Sequence, residues 1–106
     1  AHYQHDQYFY DLCDEKGLVI WAEIPYISQH LPNGRENTIS QMTELVAQNY
    51  NHASIFFWGL SNEITMAGAE DPDLLENHKI LNDLVHDVHI MINSMCRTIK
   101  NCKSNL

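Results

Sequence analysis

Positive charge is scarce in this 106-residue sequence: six Lys and Arg residues stand against 14 Asp and Glu residues, for a formal net charge of -8. Nonspecific nucleic-acid binding and docking on an anionic membrane both need clustered cations, so neither partner is expected. Apolar runs are also short. The longest, residues 55–60, falls far below the ~18–20 residues of a transmembrane helix. The first residues lack the basic start and apolar stretch of a signal peptide, so none is expected there.

Paired cysteine motifs are lacking as well. Cys13, Cys96 and Cys102 form neither a CxxC pair nor an even disulfide framework. An odd count in an acidic chain is typical of reduced thiols, which predicts a cytoplasmic location. Cys13 lies in an apolar helical pattern and is predicted to be buried.

The short motifs of several enzyme classes are missing too. The sequence contains no HExxH or Cys/His zinc spacing, no GxGxxG, no P-loop and no GxSxG, and its seven histidines are scattered. We therefore predict no dedicated metal site, no phosphate-binding loop and no serine-hydrolase site.

What the sequence does contain is an alternation of helical and strand patterns. Helices are predicted over 7–16, from 38 to 50 and over 74–88, strands over 18–25 and 54–60, and a strand end at 1–3. Asp6 and Gly17 are typical start and stop residues for the first helix, and Asp71 or Asp73 can cap the third. This order is that of an α/β fold, but two clear strands complete neither a doubly wound sheet nor a barrel. The sequence therefore predicts a segment of a larger α/β domain.

The charge distribution marks a boundary near the end of the chain. All carboxylates lie at or before Asp87, whereas half of the cations, Arg97, Lys100 and Lys103, lie in the last ten positions. We predict one unit over residues 1–87 and a divergent tail over 88–106, which is either a cationic helical extension or a frameshifted end.

Polar side chains follow the predicted strands where chemistry is expected in parallel α/β folds, at the carboxyl ends of the strands. His2, Glu23, Asn62 and Glu63 occupy such positions. A carboxylate directly after a buried strand is costly unless it is paired or used. Glu23 has a structural alternative, as a carboxylate tied to a neighbouring backbone group or histidine. Glu63 is the stronger functional candidate, and its carboxyl is expected to be partly desolvated.

Two stretches together resemble the catalytic barrel of glycoside hydrolase family 2, the β-galactosidase family. They are AHYQHDQYFYDLCDEKGLVIWAEIP and ELVAQNYNHASIFFWGLSNE. That family carries an HYP-like turn, a helix reading FYDLCDE-x-G-L, a strand ending in D/A-E, and RNHPSI-x-x-W-x-x-NE. The similarity covers residues 1–87 in order and at the right spacings. It implies a partial (β/α)8 TIM barrel, from about the end of strand 2 through helix 4.

The resemblance also implies a retaining β-glycosidase mechanism with two carboxylates. Glu63 matches the general acid/base of the family, and Asn62 matches the Asn that binds the sugar 2-hydroxyl. His2 matches a histidine that contacts sugar hydroxyls, and Glu23 matches a carboxylate lining the same pocket. The nucleophile of the family lies at the end of the seventh strand, beyond this chain, so the chain is expected to be an inactive fragment of a bacterial-type enzyme.

Departures from the family pattern bear on cofactors. Gln4 and Ala53 replace two prolines, and only His30 remains of the Glu-x-His motif by which some members hold Mg²⁺. No cofactor is therefore expected.

The expected partner is a carbohydrate substrate, with β-galactosides preferred. β-Glucuronidases and β-mannosidases share the same motifs and remain alternatives, as does a non-catalytic module that binds sugar or a partner protein. Whether the parent enzyme is a homo-oligomer stays open.

Overall fold

The computed structural model describes residues 2–64 and 71–103. Three helices and two strands follow one another in the predicted order: α1 (Gln7–Lys16), β1 (Ile20–Glu23), α2 (Arg35–Asn49), β2 (Ile55–Gly59) and α3 (Pro72–Lys103). In these two ranges, no helix is long and apolar enough to cross a membrane. Helix α3 continues past residue 87, and the division into 1–87 and 88–106 stays a prediction.

Helix α1 begins and ends as its sequence predicts. The Asp6 side chain accepts a hydrogen bond from the backbone N–H of Tyr8 at 2.8 Å, which satisfies one free amide of the first turn. Gly17 ends the helix with φ at +68°, a left-handed conformation that glycine adopts without a Cβ clash. Cys13 is buried as predicted, whereas Phe9, four positions earlier in the same helix, is 40% exposed.

The start of α2 and the first residues of the chain differ from the predictions. Helix α2 begins at Arg35, three residues before Thr38, after Gly34, which has no side chain to cap it. Without a capping side chain the sequence carries no sharp start signal at this point. Residues 2 and 3 form no strand, although the sequence pattern predicted a strand end at 1–3.

Strands β1 and β2 pair in parallel, with Ile20 opposite Ile55 and Glu23 opposite Gly59. Helix α2 lies between them in sequence, so this is the strand–helix–strand unit expected of a partial (β/α)8 barrel. The pairing resumes beyond both strands as an isolated bridge between Ile27 and Asn62. As a result, the segments that follow the two strands run side by side at one edge of the sheet.

The core lies between the strand ends and helices α2 and α3. Its buried members are mostly aliphatic: Ile24, Tyr26, Met42, Leu45, Val46, Ile64, Leu74 and Leu81. Other large apolar side chains of the strands remain uncovered, with Trp21, Phe56 and Phe57 each more than half exposed. Phe56 and Phe57 are neighbours and point to opposite faces of β2, so neither face of this strand is fully covered by the described residues.

These exposed rings predict the behaviour of the chain when it is expressed alone. We expect residues 1–106 to aggregate or stay molten, because three large aromatic side chains face water and a two-stranded sheet is marginal in isolation. Amide NMR spectra and thermal unfolding test this. Well-dispersed signals with a cooperative transition would contradict the interpretation of the chain as part of a barrel.

A carboxylate joins α1 to the start of β2. Asp14 Oδ1 accepts the backbone N–H of Ser54 at 2.7 Å, and Asp14 Oδ2 lies 2.7 Å from His52 Nδ1. The hydrogen bonds from Ser54 and then His52 hold the pKa of the Asp14 carboxyl below its usual 3.8. The ionised form of Asp14 therefore stabilises the folded state.

This lowered pKa predicts an acid-dependent contribution to stability. It is present above pH 3.8, the ordinary value, and is lost as the pH falls through the lower folded-state pKa. In the full-length protein, Asp14→Asn should lower the free energy of unfolding at neutral pH, and the deficit should shrink below about pH 4. Denaturant titrations across pH measure it. The control is Asp11→Asn, whose carboxylate is 68% exposed and 4.0 Å from His52. A deficit that does not change with pH would contradict the prediction.

Candidate active site

The carboxyl ends of β1 and β2 bring predicted site residues together. His2 Nδ1 lies 2.8 Å from Glu23 Oε1, so a residue that precedes α1 reaches the last residue of β1. The second oxygen, Glu23 Oε2, accepts a hydrogen bond from Trp21 Nε1 at 3.1 Å. Glu23 is buried, and both of its oxygens are satisfied. The structural alternative given for Glu23, an interaction with a histidine, is therefore present, and His2 is the partner.

Gly59, the last residue of β2, allows the two strand ends to approach closely. A Cβ placed on Gly59 would lie 2.1 Å from Trp21 Nε1 and 2.6 Å from Glu23 Cβ, closer than van der Waals contact allows. Trp21 and Gly59 were not singled out from the sequence. A glycine inside a strand pattern is a known signal of close approach, and it was available here.

Asn62 is fixed by its backbone between the two post-strand segments. Its N–H donates to the carbonyl of Tyr26 at 2.9 Å, and its carbonyl accepts the N–H of Ser28 at 3.0 Å. Its side chain is half-buried. The backbone that carries the predicted site residues is thus held to the segment after β1.

Glu63 adopts a left-handed backbone conformation, with φ at +50°. This conformation costs a non-glycine residue about 1–2 kcal/mol and persists only where the surroundings enforce it. The Glu63 side chain is exposed, so the desolvation expected of it is not supplied by the described part of this chain. Strained residues cluster at functional sites, and Glu63 follows a strand at the edge where chemistry is expected.

A second polar cluster lies between the segment after β1 and the start of α3. His30 is hydrogen-bonded to Tyr26 Oη and, at 2.6 Å, to Asp73 Oδ2, and Arg35 donates to Asp73 and to Glu76. The hydrogen bond from His30 lowers the pKa of the Asp73 carboxyl, while burial raises the pKa of the Tyr26 phenol. Sequence reasoning missed this cluster, because its members lie up to 50 positions apart.

The cluster decides whether His30 fits a magnesium site. Both ring nitrogens of His30 are engaged, one by Tyr26 and one by Asp73. Among the side chains that the structure describes, no three His, Cys, Asp or Glu groups are placed to hold a metal ion. Mg²⁺ needs several oxygen ligands in near-octahedral geometry, so the residues at His30 do not fit it.

Comparison with known proteins gives a family match over the whole chain. The model of "Glycosyl hydrolases family 2, TIM barrel domain" matches residues 1–106. A putative β-glucuronidase of Formosa agariphila is 40% identical over 95 residues, which are 83% of this chain and 12% of that protein. The chain thus spans about an eighth of the length of this curated relative.

Solved structures match as well. The crystal structure of an FMN-binding β-glucuronidase from Facaelibacterium prausnitzii L2-6 superposes with a TM-score of 0.77 at 47% identity, over 82% of this chain and 14% of that one. A putative β-galactosidase from Bacteroides fragilis gives a TM-score of 0.73 at 42% identity, over 79% of this chain and 12% of that one.

Proposed function

Because the chain belongs to glycosyl hydrolase family 2 and to its TIM barrel domain, we propose that the full-length enzyme hydrolyses terminal β-linked sugars with retention of configuration. Membership also confirms the partial (β/α)8 barrel predicted from the sequence. The observation that carries the proposal is the edge where β1 and β2 end. There Glu23, which is hydrogen-bonded to His2, ends β1. Glu63, with its left-handed backbone conformation, follows β2.

Each of the four residues has a proposed role in the reaction. Glu63 donates a proton to the departing glycosidic oxygen and then takes one from the attacking water. Asn62 binds the sugar 2-hydroxyl, and His2 and Glu23 bind other sugar hydroxyls. The mutual hydrogen bond of His2 and Glu23 keeps both side chains oriented for that task.

The second carboxylate of the reaction is not among these residues. A retaining enzyme needs a nucleophile ~5–5.5 Å from its acid/base carboxyl, and in our proposal it comes from a later strand of the barrel. Residues 1–106 alone should therefore be inactive. Acid/base and nucleophilic catalysis by two carboxylates requires no cofactor, and we propose none. The odd number of cysteines in an acidic chain, typical of reduced thiols, supports a cytoplasmic location for the enzyme.

The sugar is the finer part of the proposal. The sequence favours β-galactosides, and relatives of this chain include β-galactosidases. Relatives named β-glucuronidase, at 40% and 45% identity, make β-glucuronides the second candidate substrate. A uronate carboxylate needs a cation, and Arg35 in this chain is already paired with Asp73 and Glu76. We therefore do not propose Arg35 as the partner of a uronate carboxylate.

A panel of nitrophenyl β-glycosides tests the proposal on the full-length enzyme. We expect turnover of the galactoside or the glucuronide, with the β-anomer as the first product seen by NMR. The mannoside serves as the comparison. Release of the α-anomer, or sugar binding without turnover of any β-glycoside, would overturn the proposal, and the second of these results would indicate a binding module.

A further inference from the structure

A serine and a histidine outside the four proposed site residues form a close pair. Ser61 Oγ lies 2.6 Å from His78 Nε2, and His78 Nδ1 lies 2.9 Å from the carbonyl oxygen of Leu74. Because a carbonyl only accepts hydrogen bonds, His78 Nδ1 must carry a proton. In the neutral ring, Nε2 then accepts the hydroxyl hydrogen of Ser61. Helix α3 therefore holds the Ser61 side chain through a histidine of fixed tautomer.

The same histidine is held from a second side. Its ring stacks on that of Tyr26, with centroids 5.7 Å apart and planes 25° from parallel. Tyr26 is itself buried, and its backbone carbonyl accepts the N–H of Asn62. His78 thus joins three parts of the fold: α3, the segment after β1 and the segment after β2.

The pair lies directly before two of the proposed site residues in the chain. Asn62 comes after Ser61, with its backbone fixed to Tyr26 and Ser28, and then Glu63 in its costly left-handed conformation. Backbone strain of this kind persists only where the surrounding contacts over-determine it. The backbone hydrogen bonds of Asn62 fix the residue directly before Glu63. The hydrogen bond between the Ser61 hydroxyl and His78 fixes the residue before that.

We propose that Ser61 and His78 are positioning residues that hold the turn at Glu63 in the geometry needed for proton transfer. The inference rests on the proposed role of Glu63 as the general acid/base. Neither side chain needs to touch substrate, since their effect passes through the backbone of residues 61–63. A misplacement of about 1 Å can cost on the order of 100-fold in rate, so losing this pair should lower kcat and leave KM nearly unchanged.

Two sets of variants in the full-length enzyme test the pair. Ser61→Ala and His78→Leu should each lower kcat about tenfold or more on a substrate with a poor leaving group. His78→Gln supplies an amide oxygen that can accept the hydroxyl hydrogen of Ser61, so its kcat should lie much closer to the parent value than that of His78→Leu. The matched controls are Ser40→Ala, on an exposed residue whose hydroxyl donates a hydrogen bond to Glu44, and His86→Leu, exposed two turns along α3. Both controls should retain the parent rate.

A double-mutant cycle with Glu63→Gln separates the inference from the proposed function. If the pair acts through Glu63, adding Ser61→Ala to Glu63→Gln should slow the poor-leaving-group substrate no further. If the rate losses of Ser61→Ala and Glu63→Gln multiply in the double mutant, or if His78→Gln is as slow as His78→Leu, the inference is overturned while the role of Glu63 stands. If Glu63→Gln alone slows nothing, the proposed function itself fails. Ser61→Ala removes a single oxygen, so it carries the test even where His78→Leu does not fold.

Discussion

Glu63→Gln in the full-length enzyme should slow substrates with poor leaving groups by about 10²–10⁴-fold, the usual contribution of a general acid. Activated aryl glycosides should lose far less in the bond-cleavage step, because their leaving groups depart without a proton. Their turnover should be limited instead by hydrolysis of the covalent intermediate, which also needs Glu63 as a base. Azide should then restore the turnover of these activated substrates, since a small anion can attack the covalent intermediate without base assistance. Steady-state kinetics on a series of aryl leaving groups measure both effects.

The matched control for this substitution is Glu23→Gln at the neighbouring strand end. Glu23 is buried and bonded to His2 and Trp21, and its proposed role is to bind the sugar. Its substitution should affect good and poor leaving groups alike and should not respond to azide. If Glu63→Gln behaves in that same way, Glu63 is a nucleophile or a structural carboxylate. The assignment of Asn62 and Glu63 would then be withdrawn.

Gly59→Ala should destabilise the fold more than the same substitution at Gly17 or Gly34. The added methyl group would lie 2.6 Å from Glu23 Cβ, which the backbone of β1 fixes, so rotation of Trp21 alone cannot relieve the clash. Overpacking of this kind costs about 1–3 kcal/mol or more. We expect a lower free energy of unfolding and, because Glu23 must move, loss of most activity in whatever enzyme still folds. Denaturant unfolding and kinetics measure the two losses.

Gly17→Ala provides the control for the glycine substitution. Gly17 has φ at +68°, but an added Cβ would meet nothing within 4 Å. It should cost about 1 kcal/mol of backbone strain and leave the activity intact, since Gly17 precedes the amino end of β1 and the proposed site residues lie at the carboxyl ends of the strands. Equal behaviour of the two variants would show that the close approach at Gly59 carries no special role.

Local chemistry made parts of this fold predictable. The two ends of α1, at Asp6 and Gly17, were predictable because capping and left-handed conformations depend on the residue itself and its near neighbours. The apolar runs placed both strands, and their parallel order follows from the helix between them. The start of α2 was missed because Gly34 offers no capping side chain.

The contacts that shape the site were beyond sequence reasoning. A tie to a neighbouring backbone group or histidine was one alternative predicted for Glu23, but its pairing with His2 depends on the path of the chain before α1. Ser61 and His78 are 17 positions apart and gave no periodic or motif signal. The family resemblance indicated Asn62 and Glu63 as site residues, yet the left-handed backbone of Glu63 could be seen only in the structure.

Mapping the covalent intermediate is the most direct test that this chain holds the acid/base half of a two-carboxylate site. The full-length enzyme would be treated with an activated 2-deoxy-2-fluoro β-glycoside of its preferred sugar, which forms the glycosyl-enzyme but releases it slowly. Mass spectrometry of the peptides then locates the label. The predicted result is a labelled carboxylate outside residues 1–106, with Glu63 and Glu23 unmodified. A label on Glu63 or Glu23 would contradict the roles proposed for them.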